Sequence, residues 1–142
     1  MRAVIDTNVW VSGLILPGSL PGQILHAIRD GAVVPVVSWE LADELVRVLR
    51  RPRLRHYHIS EQDVRDVTAL LAPFLPRADV QVEVAIRDPA DEHVIVAAIA
   101  GGAETIVTGD RDLLDDKALA AWLRRRGVAL LAPRELLRRI AR

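Results

Sequence analysis

Apolar residues along the chain fall into short runs separated by longer segments with helical spacing. The runs 2–5, 33–37, 105–107 and 128–131 are rich in β-branched or aliphatic residues and predict strands. A further run, Val80 to Val84, alternates apolar and polar residues and predicts another short strand. Between these runs, apolar residues recur three and four positions apart, which predicts amphipathic helices. This alternation indicates an α/β fold with a parallel sheet covered on both faces.

The segment that begins at Asp88 shows the helical pattern most clearly. Asp88 is suited to cap a helix and Pro89 to occupy its first position, where a missing N–H costs nothing. An apolar stripe runs along this helix, and Asp91 lies at the centre of the stripe one turn earlier. We therefore expect Asp91 to face the core or the rim of a cleft, and His93 to point outward.

Composition limits the classes to which the protein can belong. Its 142 residues suit one domain, expected to span 1–142, and its 19 basic and 19 acidic side chains cancel, so net charge does not indicate a nucleic-acid partner. The lack of cysteine excludes disulfides and cysteine–zinc sites. A charge at position 6 argues against a secretory signal, and no uncharged apolar run approaches the roughly 20 residues of a membrane span. We expect a soluble, cytoplasmic protein without a membrane partner.

Acidic residues occur at places that the predicted fold would bring together. Asp6 and Asp110 each come directly after a predicted strand, and the carboxyl ends of parallel strands share one edge of a sheet. Asp91 is expected to lean inward from its helix. On the helix predicted from position 39, Glu44 lies about 40° from Val48 around the axis, nearer the apolar stripe than the other two acids there.

A divalent cation is the simplest way to hold these carboxylates together. Like charges repel, and no basic residue occurs within 6–8 or 88–92 to neutralise them. Oxygen ligands without cysteine or a helical histidine pair favour Mg²⁺ or Mn²⁺ over Zn²⁺. Such an ion can activate water and stabilise the charge that develops during in-line displacement at a phosphodiester. Asp112 is a fifth acid near this group.

Each acid also has a structural alternative, which the residues alone leave open. Asp6 and Asp110 are suited to cap the segments that follow them, and Asp91 is suited to complete a capping box. Glu44 would then be a solvated boundary residue and Asp112 merely exposed. The joint arrangement makes a metal site as strong an interpretation as the structural one.

Four motifs follow one another along the chain. They are V-I-D-T-N at 4–8, S-W-E-L-A-D-E-L at 38–45, D-P-A-D-E at 88–92 and T-G-D-R-D-L-L at 108–114. The ordered set resembles the PIN-domain family, especially its branch of type II toxin–antitoxin toxins (VapC-like), and the similarity extends over nearly the whole chain. The resemblance implies a three-layer α/β/α sandwich with a central parallel sheet, and hydrolysis of RNA that depends on Mg²⁺ or Mn²⁺.

The resemblance also assigns roles to individual residues. The family's catalytic and metal-binding acids match Asp6, Glu44, Asp91 and Asp110. Asp112 would assist through water or a second metal, while Asn8 and Thr108 match polar residues that support the site. The expected products carry 5′-phosphate and 3′-hydroxyl ends. Glu92 departs from the pattern, since this branch more often has an amide there.

A second group of residues is a candidate for binding RNA. Basic side chains cluster around the end of the third predicted helix and the loop beyond it, at Arg50, Arg51, Arg53 and Arg55. With Tyr57 available for stacking, they are suited to hold phosphates or an unpaired base. The alternative is a helix C-terminus whose cations suit the helix dipole.

Partners and function have alternatives as well. By resemblance, a small antitoxin protein is expected to cap the cleft, and the apolar stretch 10–20 favours either that contact or a homodimer. A housekeeping PIN nuclease for RNA processing and a non-catalytic RNA-binding module are also compatible with the motifs. A phosphoacceptor signalling domain fits less well, because a single aspartate follows the first strand and the sole lysine, Lys117, lies on a predicted helix.

Overall fold

The computed structural model of the protein describes residues 1–76 and 92–141, without the side chains of Arg53, Arg55 and Glu92. Its strands are β1 (Arg2–Ile5), β2 (Val34–Pro35), β3 (Thr105–Val107) and β4 (Ala129–Leu131). Its α-helices are α1 (Thr7–Ile15), α2 (Leu20–Arg29), α3 (Trp39–Leu49), α4 (Glu61–Leu71), α5 (Glu92–Ala100), α6 (Arg111–Leu114), α7 (Lys117–Arg125) and α8 (Pro133–Ile140). Two 3-10 helices span Pro52–Tyr57 and Ala72–Phe74. The strand predicted at Val80 to Val84 and the helix start predicted at Asp88 lie outside the described residues.

The four described strands form one parallel sheet in the order β2-β1-β3-β4. Ile5 pairs with Val107, and Val107 pairs with Leu131, so the last residues of three strands lie side by side. Helices flank this sheet, and the predicted α/β/α sandwich with a central parallel sheet is confirmed. This register places the residues that follow Ile5 and Val107 next to each other at the edge of the sheet.

The two central strands form the middle of the hydrophobic core. Val4, Ile5, Ile106 and Val107 are all at most 1% exposed. Strands covered on both faces carry apolar residues at consecutive positions instead of alternating ones, which is why β1 and β3 read as continuous aliphatic runs. This rigid centre supports the polar residues that follow each strand.

Strand β2 is shorter than the predicted run 33–37. The N–H groups of Val34 and Val36 donate to the carbonyl oxygens of Met1 and Ala3, at 2.7 and 2.8 Å, whereas Pro35 between them has no N–H. Proline is tolerated here because the missing donor belongs to the side of β2 that faces away from β1. A proline inside an apolar run favours a short or edge strand, and β2 has two residues.

Helices α1 and α2 meet at a tight turn through Pro17 and Gly18, a residue pair that commonly ends a helix. Gly22 approaches this turn so closely that a Cβ on it would lie 2.1 Å from the carbonyl oxygen of Pro17. Ser19 caps α2 by accepting the Gly22 N–H at 3.2 Å. In the part of the chain that the structure describes, no single helix is long and apolar enough to cross a membrane, and α1 with α2 reach that length only as a pair bent by 96°.

The direction of the crossovers changes at β1. The chain passes from β1 to β2 on one side and later returns to place β3 on the other side. In open parallel sheets, ligands bind beyond the carboxyl ends of the strands at such a switch point. A functional site is therefore expected beyond the carboxyl ends of β1 and β3.

Candidate active site

Asp6 and Thr108 meet at the switch point. They are the residues that directly follow the paired strand ends Ile5 and Val107. The Asp6 N–H donates to the carbonyl oxygen of Val107 at 2.9 Å, and the Thr108 hydroxyl donates to Asp6 Oδ2 at 2.8 Å. Thr108 is fully buried. The rigid centre of the sheet thus sets the position of one Asp6 carboxylate oxygen.

Thr108 also connects Asp6 to Asp110. Its hydroxyl accepts the Asp110 N–H at 3.0 Å, and Asp110 Oδ1 accepts the Asp112 N–H at 2.9 Å. Asp110 therefore caps the short helix α6, which is one of the structural roles that the sequence allowed. Asp110 and Asp112 are both exposed. A continuous hydrogen-bonded path runs from Asp6 through Thr108 to these two acids.

Asp6 does not cap the helix that follows it. It occupies the N-cap position of α1, yet its side chain makes no capping hydrogen bond there. Burial raises the pKa of the Asp6 carboxyl above its ordinary value, and hydrogen bonds from Thr108 and from the Thr7 backbone oppose that rise. The negative charge of Glu44 raises the pKa further, and His93 lowers it. Asp6 is thus a half-buried acid whose charge the described surroundings do not fully balance.

Glu44 is the acid of α3 that approaches Asp6. Its side chain is 34% exposed, whereas Glu40 and Asp43 on the same helix are exposed. The prediction from helix geometry that Glu44 lies nearest the core is confirmed. The negative charge of Glu44 contributes to the raised pKa of Asp6, so the two carboxylates, which come from different elements, lie within electrostatic reach of each other.

The expectation that His93 points outward is wrong. Its side chain is 23% exposed, and its Nε2 lies 2.7 Å from Glu44 Oε2. The contact is a close electrostatic one, since this buried Nε2 has no partner in hydrogen-bond geometry among the described residues. The sequence held a signal for this placement: apolar residues fill 94–100 completely, and a helix that is apolar all round is buried on all sides. His93 lies in the first turn of this helix and therefore has no solvent-exposed face to point toward.

The remaining predicted site residues are only partly placed. Asp91 lies outside the described residues. Among residues 1–76 and 92–141, no three acidic or histidine side chains converge closely enough to hold a metal ion. The structure joins Asp6 to Asp110 by hydrogen bonds through Thr108, and Glu44 acts on Asp6 through its charge.

The chemistry of this pair fits a hard divalent cation. Both donors are carboxylate oxygens, and Mg²⁺ is commonly held by one or two carboxylates while it keeps several waters. The raised pKa of Asp6 is the specific observation, because burial next to a second carboxylate leaves a negative charge that a cation would stabilise. The residues present are therefore compatible with the predicted ion.

A cavity of about 490 Å³ opens beside Asp110. Asn8 and Ser12 line it from successive turns of α1, and Arg111 lines it from the start of α6. Asn8, predicted as a supporting residue, is exposed and belongs to this cavity.

The basic group of residues lies farther along α3. Arg50 is six residues beyond Glu44, about 9 Å along the helix axis. Its guanidinium pairs with Glu61, through Nε to Oε1 at 3.2 Å and Nη2 to Oε2 at 3.1 Å, with both side chains more than half exposed. Arg51 is exposed, and Arg53 and Arg55 have side chains outside the described part of the chain. Tyr57 is 54% exposed.

Comparisons with known proteins agree with this geometry. The chain is 29% identical over 137 residues to Uncharacterized protein MJ1680 of Methanocaldococcus jannaschii, an alignment that covers 94% of this chain and 86% of that protein. No solved structure matches the chain. A family model described as PIN domain matches residues 2–112, a span that includes Asp6, Glu44, Thr108 and Asp110. The chain therefore belongs to the PIN-domain family.

Proposed function

We propose that the protein is an endoribonuclease that hydrolyses RNA phosphodiester bonds with Mg²⁺ or Mn²⁺. PIN domains are usually metal-dependent nucleases that act on RNA or DNA. The observation that carries the proposal is the placement of Asp6, held by Thr108 at the switch point with Glu44 beside it. A non-catalytic RNA-binding module would need no such half-buried carboxylate pair.

The proposed ligands of the ion are Asp6, Glu44, Asp91 and Asp110, with Asp112 assisting through water or a second ion. Thr108 holds the Asp6 carboxylate in one orientation. When bound, the cation would supply positive charge that lowers the pKa of water and offsets charge on the phosphate oxygens. Asp110 and Asp112 are exposed, so substrate and water can reach the proposed ion from their side.

The reaction replaces the bond between phosphorus and the 3′ oxygen with a bond between phosphorus and a water oxygen. One proton of that water ends on the departing 3′ oxygen, directly or through solvent, which gives 5′-phosphate and 3′-hydroxyl ends. Carboxylates held in fixed positions would speed the reaction, because they need not reorganise when charge develops at phosphorus. Arg51, Arg53 and Arg55 would hold the RNA backbone, and Arg50 would first have to exchange its Glu61 partner for a phosphate.

The decisive experiment incubates purified protein with a panel of single-stranded RNA, structured RNA and single-stranded DNA, in Mg²⁺, Mn²⁺ or EDTA. We expect cleavage of RNA that needs the metal and is lost in Asp6→Asn, which keeps the shape and the acceptor for Thr108 but removes one negative charge. Asp30→Asn, on the exposed end of α2, is the matched control and should cleave like the wild type. Equal cleavage by Asp6→Asn and wild type would remove the site assignment.

We further propose that the protein is the toxin of a toxin–antitoxin pair, acts in the cytoplasm and is held inactive by an antitoxin protein. The support is the motif set and the membership in the PIN family. Induced expression of wild type should arrest growth of a bacterial host, and Asp6→Asn should not. Cleavage in vitro with undisturbed growth would favour the housekeeping nuclease instead.

A further inference from the structure

We propose that the cavity beside Asp110 binds one unpaired nucleotide next to the phosphate that is cut. We call it the α1–α6 cavity, lined by Asn8, Ser12, Pro21, Asp110, Arg111 and Pro133 among others. Its position relative to a cut phosphate rests on the proposed nuclease function, whereas nucleotide binding itself does not.

The size of the α1–α6 cavity suits a ligand larger than an ion. Its volume is about 490 Å³. Small-molecule sites in proteins usually enclose about 300–1,000 Å³, with apolar walls and a few polar groups that fix orientation. The cavity has that composition, because Pro21, Val9 and Pro133 supply apolar walls and Asn8 and Ser12 supply polar groups.

The polar lining suits a nucleotide in particular. Asn8 and Ser12 each offer a hydrogen-bond donor and an acceptor, and they lie four residues apart on one face of α1. A base edge or a ribose hydroxyl pairs with groups of this kind. The rings of Pro21 and Pro133 give apolar surface for the face of a base. An acidic wall formed by Asp110 disfavours a ligand that is anionic throughout.

Arg111 supplies the site for a phosphate. Its guanidinium lies 3.9 Å from a carboxylate oxygen of Asp115, and both side chains are at least 70% exposed. Such an exposed ion pair is weak, so a phosphate that binds in bidentate fashion can replace it. The Arg111 guanidinium can bind a phosphate, the polar groups of Asn8 and Ser12 can bind a sugar or a base edge, and the apolar walls can contact the face of a base.

The α1–α6 cavity is joined to the acidic site by Asp110, which belongs to both. The Asp110 N–H donates to the Thr108 hydroxyl, and that hydroxyl donates to Asp6, so two hydrogen bonds connect the cavity wall to Asp6. A base held in the cavity would leave its phosphate near the acids. A paired base inside a duplex has its Watson–Crick edge occupied and its faces stacked, so it cannot enter the cavity, and cleavage should require unpaired RNA.

Nucleotide binding is tested without any cleavage. ¹⁵N-labelled protein in EDTA is titrated with adenosine, guanosine, cytidine and uridine 5′-monophosphates and, separately, with inorganic phosphate. We expect at least one nucleotide to shift the amide signals of Asn8, Ser12 and Arg111. Inorganic phosphate should bind about tenfold more weakly, because it lacks the contacts that a base makes.

Two variants locate the binding. Arg111→Met removes the phosphate partner, and Ser12→Leu fills the cavity from an exposed helix position that tolerates substitution. Arg111→Met should raise the nucleotide Kd by about tenfold, the value of one charge-assisted hydrogen bond, and Ser12→Leu should raise it by at least as much because leucine occupies the space of the ligand. Arg29→Met, at the far exposed end of α2, removes an equal charge and should leave Kd unchanged.

Three results would overturn the proposal: no nucleotide shifts these signals, inorganic phosphate binds as tightly as the nucleotides, or both variants bind like wild type. Cleavage assays separate the two proposals. If Asp6→Asn abolishes cleavage while Ser12→Leu alters neither nucleotide binding nor base preference at the cut, the nuclease stands and the cavity falls. If nucleotides bind in the cavity but no RNA is cut, the cavity's ligand stands and the nuclease falls.

Discussion

The hydroxyl of Thr108 is the group through which strand β3 acts on the acidic site. It donates to Asp6 Oδ2 and accepts the Asp110 N–H, so one buried atom orients two of the predicted metal ligands. Hydrogen bonds of this type, made to a metal ligand and not to the metal, commonly change affinity or activity by about 10- to 100-fold when they are lost. Removing the Thr108 hydroxyl therefore tests whether the acids that it orients are catalytic.

We predict that Thr108→Val lowers RNA cleavage about 10- to 100-fold, because the variant keeps the shape but leaves Asp6 without its donor. Thr105→Val is the matched control, since Thr105 is an equally buried threonine of β3 whose hydroxyl donates to the Ala129 carbonyl at 2.7 Å. Each change should cost about 1 kcal/mol of unfolding free energy. Urea unfolding measures that loss, and initial rates measure cleavage. Equal losses of activity in the two variants would assign Thr108 to stability alone.

The raised pKa of Asp6 gives a prediction for stability against pH. The folded protein holds the Asp6 proton more tightly than the unfolded chain, whose pKa is near 3.8, so this group's stabilising contribution is present below pH 3.8 and lost as pH rises through the folded pKa. Asp6→Asn removes that loss. In EDTA, the unfolding free energy of Asp6→Asn minus that of wild type should grow from about pH 4 upward and then level off.

Urea unfolding across about pH 4 to 8 checks this difference, with Asp30→Asn as the control for losing one exposed negative charge. EDTA is needed because a bound cation would stabilise the charged form of Asp6. A difference that shrinks with rising pH would show that Thr108 and Thr7 outweigh burial and Glu44 in setting this pKa.

At the scale of single residues, the sequence was sufficient where position along an element decides the environment. Glu44 could be singled out because helix geometry alone separates it from Glu40 and Asp43. Asp6 could be singled out because it ends a strand. The contact between His93 and Glu44 could not be predicted, since it depends on how α5 packs against α3 and not on either helix by itself.

The pairing of α1 with α2 has a strict steric requirement at one glycine. Gly22 stands in the first turn of α2, where a Cβ would meet the backbone of Pro17 at 2.1 Å and of Leu16 at 2.7 Å. Backbone atoms of a turn do not yield as the end of a flexible side chain does. This approach also positions Pro21, one wall of the α1–α6 cavity.

We predict that Gly22→Ala lowers the unfolding free energy by about 1–3 kcal/mol, the usual cost of forcing a methyl group into a filled space. Gly18→Ala is the control in the same turn, because a Cβ there meets nothing within 4 Å. Thermal unfolding followed by circular dichroism gives both values. If Gly22→Ala were as stable as Gly18→Ala, the turn would have to move as a unit, and nucleotide binding in the cavity should then weaken.

Element types were predictable from periodicity, and element ends only where a cap or a breaker marks them. Ser60 and Asp63 form a capping box at the start of α4, and the serine with an acid three residues later is a start signal legible in the sequence. Helix ends without such a signal cannot be located from the spacing alone. Helix α4 ends at Leu71, where a 3-10 helix begins, although helical spacing of apolar residues continues to position 75. Strand β2 spans only Val34–Pro35 of the predicted run 33–37, and Pro35 was the one residue in that run that favoured a short strand.

For the whole molecule, the alternation of strands and helices predicted a parallel sheet, but no pattern specified the order β2-β1-β3-β4. That order follows from which helices cover which face, a property of long-range packing. It is the order that brings Asp6 beside Thr108, two residues 102 positions apart. The rule that ligands bind beyond the carboxyl ends of parallel strands was enough to predict their shared edge, and the paired register of Ile5 with Val107 supplies the contact itself.

Binding of a cation at this edge should be visible in the stability of the whole chain. An ion that binds only the folded state adds RT ln(1 + [L]/Kd) to the unfolding free energy, about 2.7 kcal/mol at 100 times Kd. We predict that Mn²⁺ raises the Tm of the wild type by several degrees in a concentration-dependent way, and that Asp6→Asn loses most of this increase because one carboxylate charge is gone. Differential scanning calorimetry with and without EDTA measures both, and Asp30→Asn should respond as the wild type does. An equal rise in Asp6→Asn would place the stabilising ion elsewhere on the protein, whatever the cleavage assays show.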